Sequence, residues 1–417
     1  MAITELAAPL LGFIDNNPST FTFIASLISL IVGSGILSFL RRPKQVSQGE
    51  AIYFVDEKLL APPMSRPGYS DRMAYVLAEM SSLAYYEFEG TGGTVLNAAQ
   101  KFLKLTNADT EQVQRLLGTF ADELLLKGVD SREFLEKILL QSNFKLLGTV
   151  NVDTTQAFVC RRVAAGESPY VVVAFRGTEK KIDDWLTDAD AIPTPYGNGK
   201  VHTGFLSAFT VSMDAKGKTA EQRIEEILAD PEAMDEQGQP LPLFFTGHSL
   251  GGALALLATR ELADDSSGAC YTYGAPRIAD YEYFGGMKTP VFRVVNSADI
   301  VPRVPPGAIM SLIVKLVQGL AWITGFIPVA SQLFKKLEAL LDKLNGYRHF
   351  GDQRYLTDVK SGRFHTVKLL SNPPAIDRIY WMGQQIRLSF LTPVKSHGME
   401  IYRKKLNHIA NSRMKGS

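Results

Sequence analysis

The sequence predicts an α/β fold with a mainly parallel central sheet, and three observations predict it. Short β-branched or aromatic runs alternate with helical stripes through the middle of the chain, the order that βαβ units produce. One such run, Leu241 to Thr246, leads directly into the glycine-flanked Ser249 and then into a helical apolar stripe. The composition is that of a folded globular chain, with 417 residues of which 46% are hydrophobic and 21% charged. That length suits two domains, or one large α/β domain with additions.

Charge and cysteine content narrow the function classes. A formal net charge of +1 removes a whole-chain electrostatic case for nucleic acid or a polyacidic partner, since such binding needs a concentrated basic field. Cys160 and Cys270 are too few to staple a chain of this size, and both sit in apolar runs that read as buried strands. The two cysteines exclude a zinc site of CxxC type.

Taken from the N-terminus, the first feature is the run from Phe21 to Leu40, which contains no charge. As a helix at about 1.5 Å per residue it would span roughly 30 Å, the thickness of a bilayer core. Arg41, Arg42 and Lys44 follow it, whereas no Lys or Arg precedes it. The positive-inside bias therefore places the following chain on the cytoplasmic side. From Pro43 to Gly68 the chain is proline-rich and weakly patterned and reads as a tether. Tyr69 to Leu147 is mostly helical in pattern, with Met73, Val76, Leu77 and Met80 forming one stripe. The run Gly90-Thr91-Gly92-Gly93-Thr94 lacks the strand and lysine of a phosphate loop and reads as an ordinary loop.

Strand patterns then appear at Lys145–Val150, Ala157–Val163, Tyr170–Phe175, Leu241–Thr246, Cys270–Tyr273 and Val291–Val295. Helices are expected from Ser249 and near Asp280, and the basic tail from Arg403 to Ser417 reads as a final helix that frays.

The chemistry centres on Gly247-His248-Ser249-Leu250-Gly251-Gly252-Ala253. This is G-x-S-x-G between a strand and a helix, the context of a nucleophile elbow. A serine on so tight a turn needs a bare Cα two residues before it and two after, here Gly247 and Gly251, because side chains there would collide. His248 reads as a satisfied residue of the elbow. Leu250, Leu254 and Leu257 give the following helix its buried stripe.

Five ordered blocks carry a resemblance. They are Val171–Gly177-Thr178, Val201-His202-Thr203-Gly204-Phe205, the serine elbow, Tyr273-Gly274-Ala275-Pro276-Arg277, and the stretch from Asn296 through Asp299 to Pro305. Over about residues 75–410 the chain resembles the class 3 (fungal-type) lipase family of α/β-hydrolases. The resemblance implies an α/β-hydrolase fold and hydrolysis of acyl esters of lipids without metal or organic cofactor. It does not cover the apolar N-terminal run or the tether. The expected organisation is an N-terminal segment 1–42 with a transmembrane anchor at 21–40, a tether at 43–68, and a lipase domain at 69–417 with a helical insertion about 308–345.

A serine hydroxyl becomes nucleophilic when a histidine takes its proton and a carboxylate fixes that imidazole. In α/β-hydrolases the chain order is Ser, acid, His. Asp299 follows the strand Val291–Val295, where a parallel sheet presents its active site, and matches the family's N-x-x-D-x-V-P-R motif. Order removes His202 and His248 as base. His365 sits in an apparent strand and His408 in the terminal helix, which leaves His349 and His397. By resemblance His397, opening the last helix, is the expected base, with His349 the alternative.

Hydrolysis also needs donors for the oxyanion. One is the backbone N–H after the nucleophile, Leu250. By resemblance the other is Thr178, through its N–H and its hydroxyl, with Asp184, Trp185 and Asp188 packing around the site. The expected function is a membrane-anchored carboxylic ester hydrolase of glycerolipids working through an acyl-enzyme. A non-catalytic membrane-bound scaffold and an acyltransferase with the same triad are the alternatives. The partners are lipid substrate and bilayer, with no nucleic acid and no obligate protein partner. Ile309 to Leu344 reads as an amphipathic helical hairpin, a lid or interfacial element over the site.

Overall fold

In the computed structural model of the chain, the residues described are 53–60, 68–85, 132–177, 193–263, 265, 267–304, 346–357, 364–386 and 396–415. Helix α1 (Asp71–Leu83) starts where the Ser70 hydroxyl accepts from the Met73 N–H, a side-chain N-cap. Met73, Val76, Leu77 and Met80 are all buried on it, as their spacing implies. A helical run over 132–141 adds Leu135 and Leu139 to the same core.

The main sheet begins with the antiparallel strands β1 (Phe144–Val152) and β2 (Thr155–Arg162), followed by β3 (Val171–Phe175). A separate hairpin, β4 (Pro193–Tyr196) with β5 (Gly199–His202), leads into helices α2 (Thr203–Thr210) and α3 (Ala220–Leu228). A reciprocal capping box between Thr219 and Gln222 starts α3. Strand β6 (Leu243–His248) then feeds helix α4 (Leu250–Leu262), and β7 (Cys270–Tyr273) and β8 (Val291–Asn296) complete the centre. Strands β9 (Asp352–Leu356) and β10 (Leu369–Ser371) precede the helices α5 (Ala375–Ile386) and α6 (Met399–Lys415).

The eight-stranded sheet has the order β1-β2-β3-β6-β7-β8-β9-β10. β3, β6, β7, β8 and β9 are mutually parallel, while the edge pairings β1–β2, β2–β3 and β9–β10 are antiparallel. The expected α/β fold with a mainly parallel sheet is thus observed. Parallel strands covered on both faces need apolar residues on both, and β3 (VVVAF) and β7 (CYTY) are buried at every position. Alternation sorts their side chains. Val172, Ala174, Phe244, Tyr271 and Val294 share a core with α1 and α6. Val171, Val173, Phe245 and Cys270 share one with α2, α3 and α4.

Several expectations are adjusted. Within 43–68, Phe54, Leu59 and Leu60 pack into the core with α1, so folded contacts begin before Tyr69. No helix forms near Asp280, because its carboxylate accepts from the Lys200 and Tyr283 N–H groups and draws the backbone into turns. The stretch around His365 is a 3₁₀ turn, Phe364–Thr366, and the strand is confined to Leu369–Ser371. Among the described residues no helix is long and apolar enough to cross a membrane. The expected anchor at 21–40, the loop at Gly90–Thr94 and the insertion at 308–345 lie outside the described residues.

Candidate active site

Ser249 joins β6 to α4 with φ 58° and ψ −125°, a backbone conformation costly for any residue with a Cβ. The sequence permits it through the two glycines of the elbow. A Cβ on Gly247 would fall on the Gly251 carbonyl, and one on Gly251 would fall on the Phe175 carbonyl. The turn places Ser249 between strand and helix, with its N–H donating to the Tyr273 carbonyl at 2.9 Å. Leu250 opens α4, so its N–H has no acceptor within the helix and lies at the helix's positive end. Thr178, Asp184, Trp185 and Asp188 lie outside the described residues.

Asp299 and His397 converge from distant parts of the chain. Asp299 is fully buried just beyond the carboxyl end of β8, and its oxygens lie 3.0 and 2.9 Å from His397 Nδ1. A carboxylate only accepts, so Nδ1 donates and Nε2 is the ring's other nitrogen. That Nε2 and the Ser249 hydroxyl oxygen are each buried without a hydrogen-bond partner among the described residues. These are the two atoms between which a triad moves its proton. His349, the alternative base, has its Nε2 2.5 Å from the Pro302 carbonyl, which the ring can meet only by donating.

Residues given no role of their own in the sequence reading hold this pair. Asp299 accepts from the Tyr402 hydroxyl at 2.6 Å and from the Val301 N–H at 2.9 Å. Tyr402 in turn accepts from the Asn296 N–H at 3.0 Å. Burial, and then the adjacent Asp299 charge, pushes the Tyr402 hydroxyl well above its usual range, which keeps it a donor. The Asn296 amide donates to the Ser396 carbonyl at 2.9 Å and accepts from the buried Lys405 ammonium at 2.6 Å. Arg303 donates to the carbonyls of Asp299 and Ser297 at 3.2 and 2.8 Å, bracing the acid loop.

His248 is also buried, its ring centroid 4.4 Å from that of His397. Burial, reinforced by the neighbouring His397, holds its pKa well below the usual histidine range. Cys160 and Cys270 are buried free thiols and take no part in the site.

Comparison with known proteins agrees with the motif blocks. The class 3 lipase family model matches residues 172–308, a span that includes Ser249 and Asp299 and ends before His397. A chloroplastic phospholipase A1-Igamma1 of Arabidopsis thaliana is 30% identical over 244 residues, which is 46% of each chain. A lipase of Rhizomucor miehei is 33% identical over 162 residues, covering 35% of this chain and 40% of its own. A solved triacylglyceride lipase of Rhizomucor miehei aligns with 52% of this chain and 68% of its own, at 25% identity and a TM-score of 0.35. The chain spans less than half the length of these curated relatives. The resemblance to class 3 lipases is borne out, carried by residues 172–308.

Proposed function

We propose that this chain is a serine hydrolase of carboxylic esters in glycerolipids, with Ser249, His397 and Asp299 as its triad. The observation that carries this reading is the pair of buried unpaired atoms, Ser249 Oγ and His397 Nε2, with the other face of the imidazole held by buried Asp299. The phospholipase A1 and lipase names of the relatives support the substrate class.

In the first half-reaction Ser249 Oγ attacks the ester carbonyl carbon and its proton passes to His397 Nε2. Negative charge grows on the carbonyl oxygen, where the Leu250 N–H and, by resemblance, Thr178 stabilise it. The tetrahedral adduct collapses, the bond to the alcohol breaks, and His397 returns the proton to the leaving oxygen. Water then attacks the acyl-enzyme, His397 takes its proton, and the acid leaves with Ser249 restored. Asp299 stays ionised and steadies the imidazolium at each half.

Two finer assignments belong to the same proposal. Residues 21–40 anchor the chain in a membrane with the catalytic domain on the cytoplasmic side, supported by the uncharged run and the basic residues after it. The insertion at 308–345 serves as a lid or interfacial element, supported by its amphipathic pattern. The decisive experiment is labelling by a fluorophosphonate, with ester turnover measured alongside. Wild type should label at Ser249, and Ser249→Ala should not label and should lose at least ~10³-fold in turnover. Equal turnover in the variant refutes the reading. Removal of residues 1–42 should release the protein from alkali-washed membranes while activity on a soluble short-chain ester persists.

A further inference from the structure

His248 is bonded directly to the nucleophile, yet its ring reaches the loop that carries the base. Its Nε2 lies 2.6 Å from the His397 backbone carbonyl, and its Nδ1 lies 2.7 Å from the Tyr85 hydroxyl. A carbonyl can only accept, so Nε2 bears the hydrogen. In a neutral ring Nδ1 is then an acceptor, and the Tyr85 O–H donates to it. The two contacts fix both the tautomer and the orientation of the ring. Stacking against His397, with centroids 4.4 Å apart and planes inclined by 33°, fixes its tilt.

The His397 backbone needs such a hold. His397 lies just ahead of α6, which begins at Met399, so no complete helical turn orders it. Asn296 grips the carbonyl before it and His248 grips its own. The first grip ties the base to the acid's strand; the second ties it to the nucleophile's strand. Through one side chain, the position of His397 is referred to the backbone that also sets Ser249.

We propose that His248 is a positioning residue for the reaction, a neutral Nε2–H imidazole that holds the His397 backbone so that the base's free Nε2 stays registered on Ser249. This rests on the triad reading above and deepens it. The groups facing the His248 ring are Tyr85 at the end of α1, His397, and Tyr402 on α6. None is a carboxylate that would favour an imidazolium, and a charge at His248 would oppose the one His397 acquires in each half-reaction. Burial keeps the ring neutral.

The experiment compares His248→Leu, His248→Gln and Tyr85→Phe with wild type on a soluble ester, each checked for native unfolding behaviour. Leucine removes the donor, whereas the glutamine amide presents an N–H near the ε position. The expected result is a loss of kcat in His248→Leu of about tenfold or more, the scale of one buried hydrogen bond, with KM within ~2-fold. His248→Gln should recover most of kcat, and Tyr85→Phe should fall between. Wild-type kcat in His248→Leu, or a glutamine variant no better than leucine, overturns the proposal. Should the leucine variant fail to fold, histidine ¹⁵N spectra of the wild type decide: the Nδ1–H tautomer at His248 overturns it, the Nε2–H tautomer together with reduced kcat in Tyr85→Phe supports it. Failure of the triad reading looks different, because then wild type itself neither labels at Ser249 nor turns over ester.

Discussion

The hydroxyl of Tyr402 donates to Asp299 Oδ2 at 2.6 Å across 103 positions of sequence, so the last helix of the chain secures the acid as well as carrying the loop of the base. A fully buried carboxylate requires partners for its lone pairs. Asp299 has three: His397 Nδ1, the Val301 N–H and this phenol. Tyr402→Phe removes one charge-assisted bond of about 1.5–3 kcal/mol while leaving the ring. The carboxylate would then turn away from its alignment with His397. Expected is a fall of ~10–100-fold in kcat/KM with little change in KM; unchanged kinetics would show that two partners suffice.

Gly274 supplies a second test of the same acid. Its φ is +59°, and a Cβ there would come within 2.6 Å of Asp299 Oδ2 and 3.1 Å of His397 Nδ1. Gly274→Ala therefore combines a left-handed backbone penalty of about 1 kcal/mol with a push on both Asp299 and His397. The variant should show a lower thermal midpoint and a loss of at least ~10-fold in kcat. A stable, fully active alanine variant would mean that the acid loop yields freely, contrary to its bracing by Arg303.

These contacts mark where legibility from sequence ends. Ser249 could be read because a nucleophile elbow is local: a strand, two glycines and a helix lie within a short window. Asp299 was legible for the same reason, as a motif at a strand's end. His397 and His349 could not be separated on residues alone; in the structure His349 Nε2 meets the Pro302 carbonyl, whereas His397 Nδ1 meets Asp299. Tyr402 and Lys405 were given no role because each alone looks ordinary, and Asn296 was read only as the head of the motif block. The available signal was on α6, where Tyr402, Leu406 and Ile409 form a buried stripe and Lys405 interrupts it with a cation. The missing helix near Asp280 shows the opposite failure, in which one carboxylate bonding to nearby N–H groups overrode a helical pattern.

Lys405 allows that signal to be tested. Its ammonium is 1% exposed and donates to Asn296 Oδ1 at 2.6 Å and to the Thr357 carbonyl at 3.0 Å. Lys405→Met keeps the stem and strips both acceptors of this donor, so unfolding free energy should drop by about 1–3 kcal/mol. Since Asn296 also holds the Ser396 carbonyl, kcat should fall as well, by less than in Tyr402→Phe. Stability lost with kcat intact would confine Lys405 to the core.

Acid sensitivity tests the neutral histidines. Burial, then neighbouring charge, holds His248 and His349 well below the usual histidine range; for His349 the neighbours are Arg293 and Arg277. In the unfolded chain each titrates near about 6.5. Below that pH the unfolded state binds protons that the folded state refuses, so stability rises with pH in this window. The contribution of each is fully present above about pH 6.5 and is lost as pH falls through the unfolded value towards the depressed folded one. Each can add a slope of up to ~1.4 kcal/mol per pH unit. Between about pH 6.5 and 5 most unfolded-state carboxylates are still ionised, so the histidines dominate the slope there. Urea midpoints taken at pH 7.5, 6.0 and 5.0 should already fall by pH 6.0 and fall more steeply per pH unit from there to 5.0. The double variant His248→Gln, His349→Gln should show a shallower fall across the same interval, whatever its stability at pH 7.5. A slope identical to that of wild type would mean that both rings take up a proton in the folded protein, and the neutral ring on which the hold of His248 over His397 depends would have to be given up.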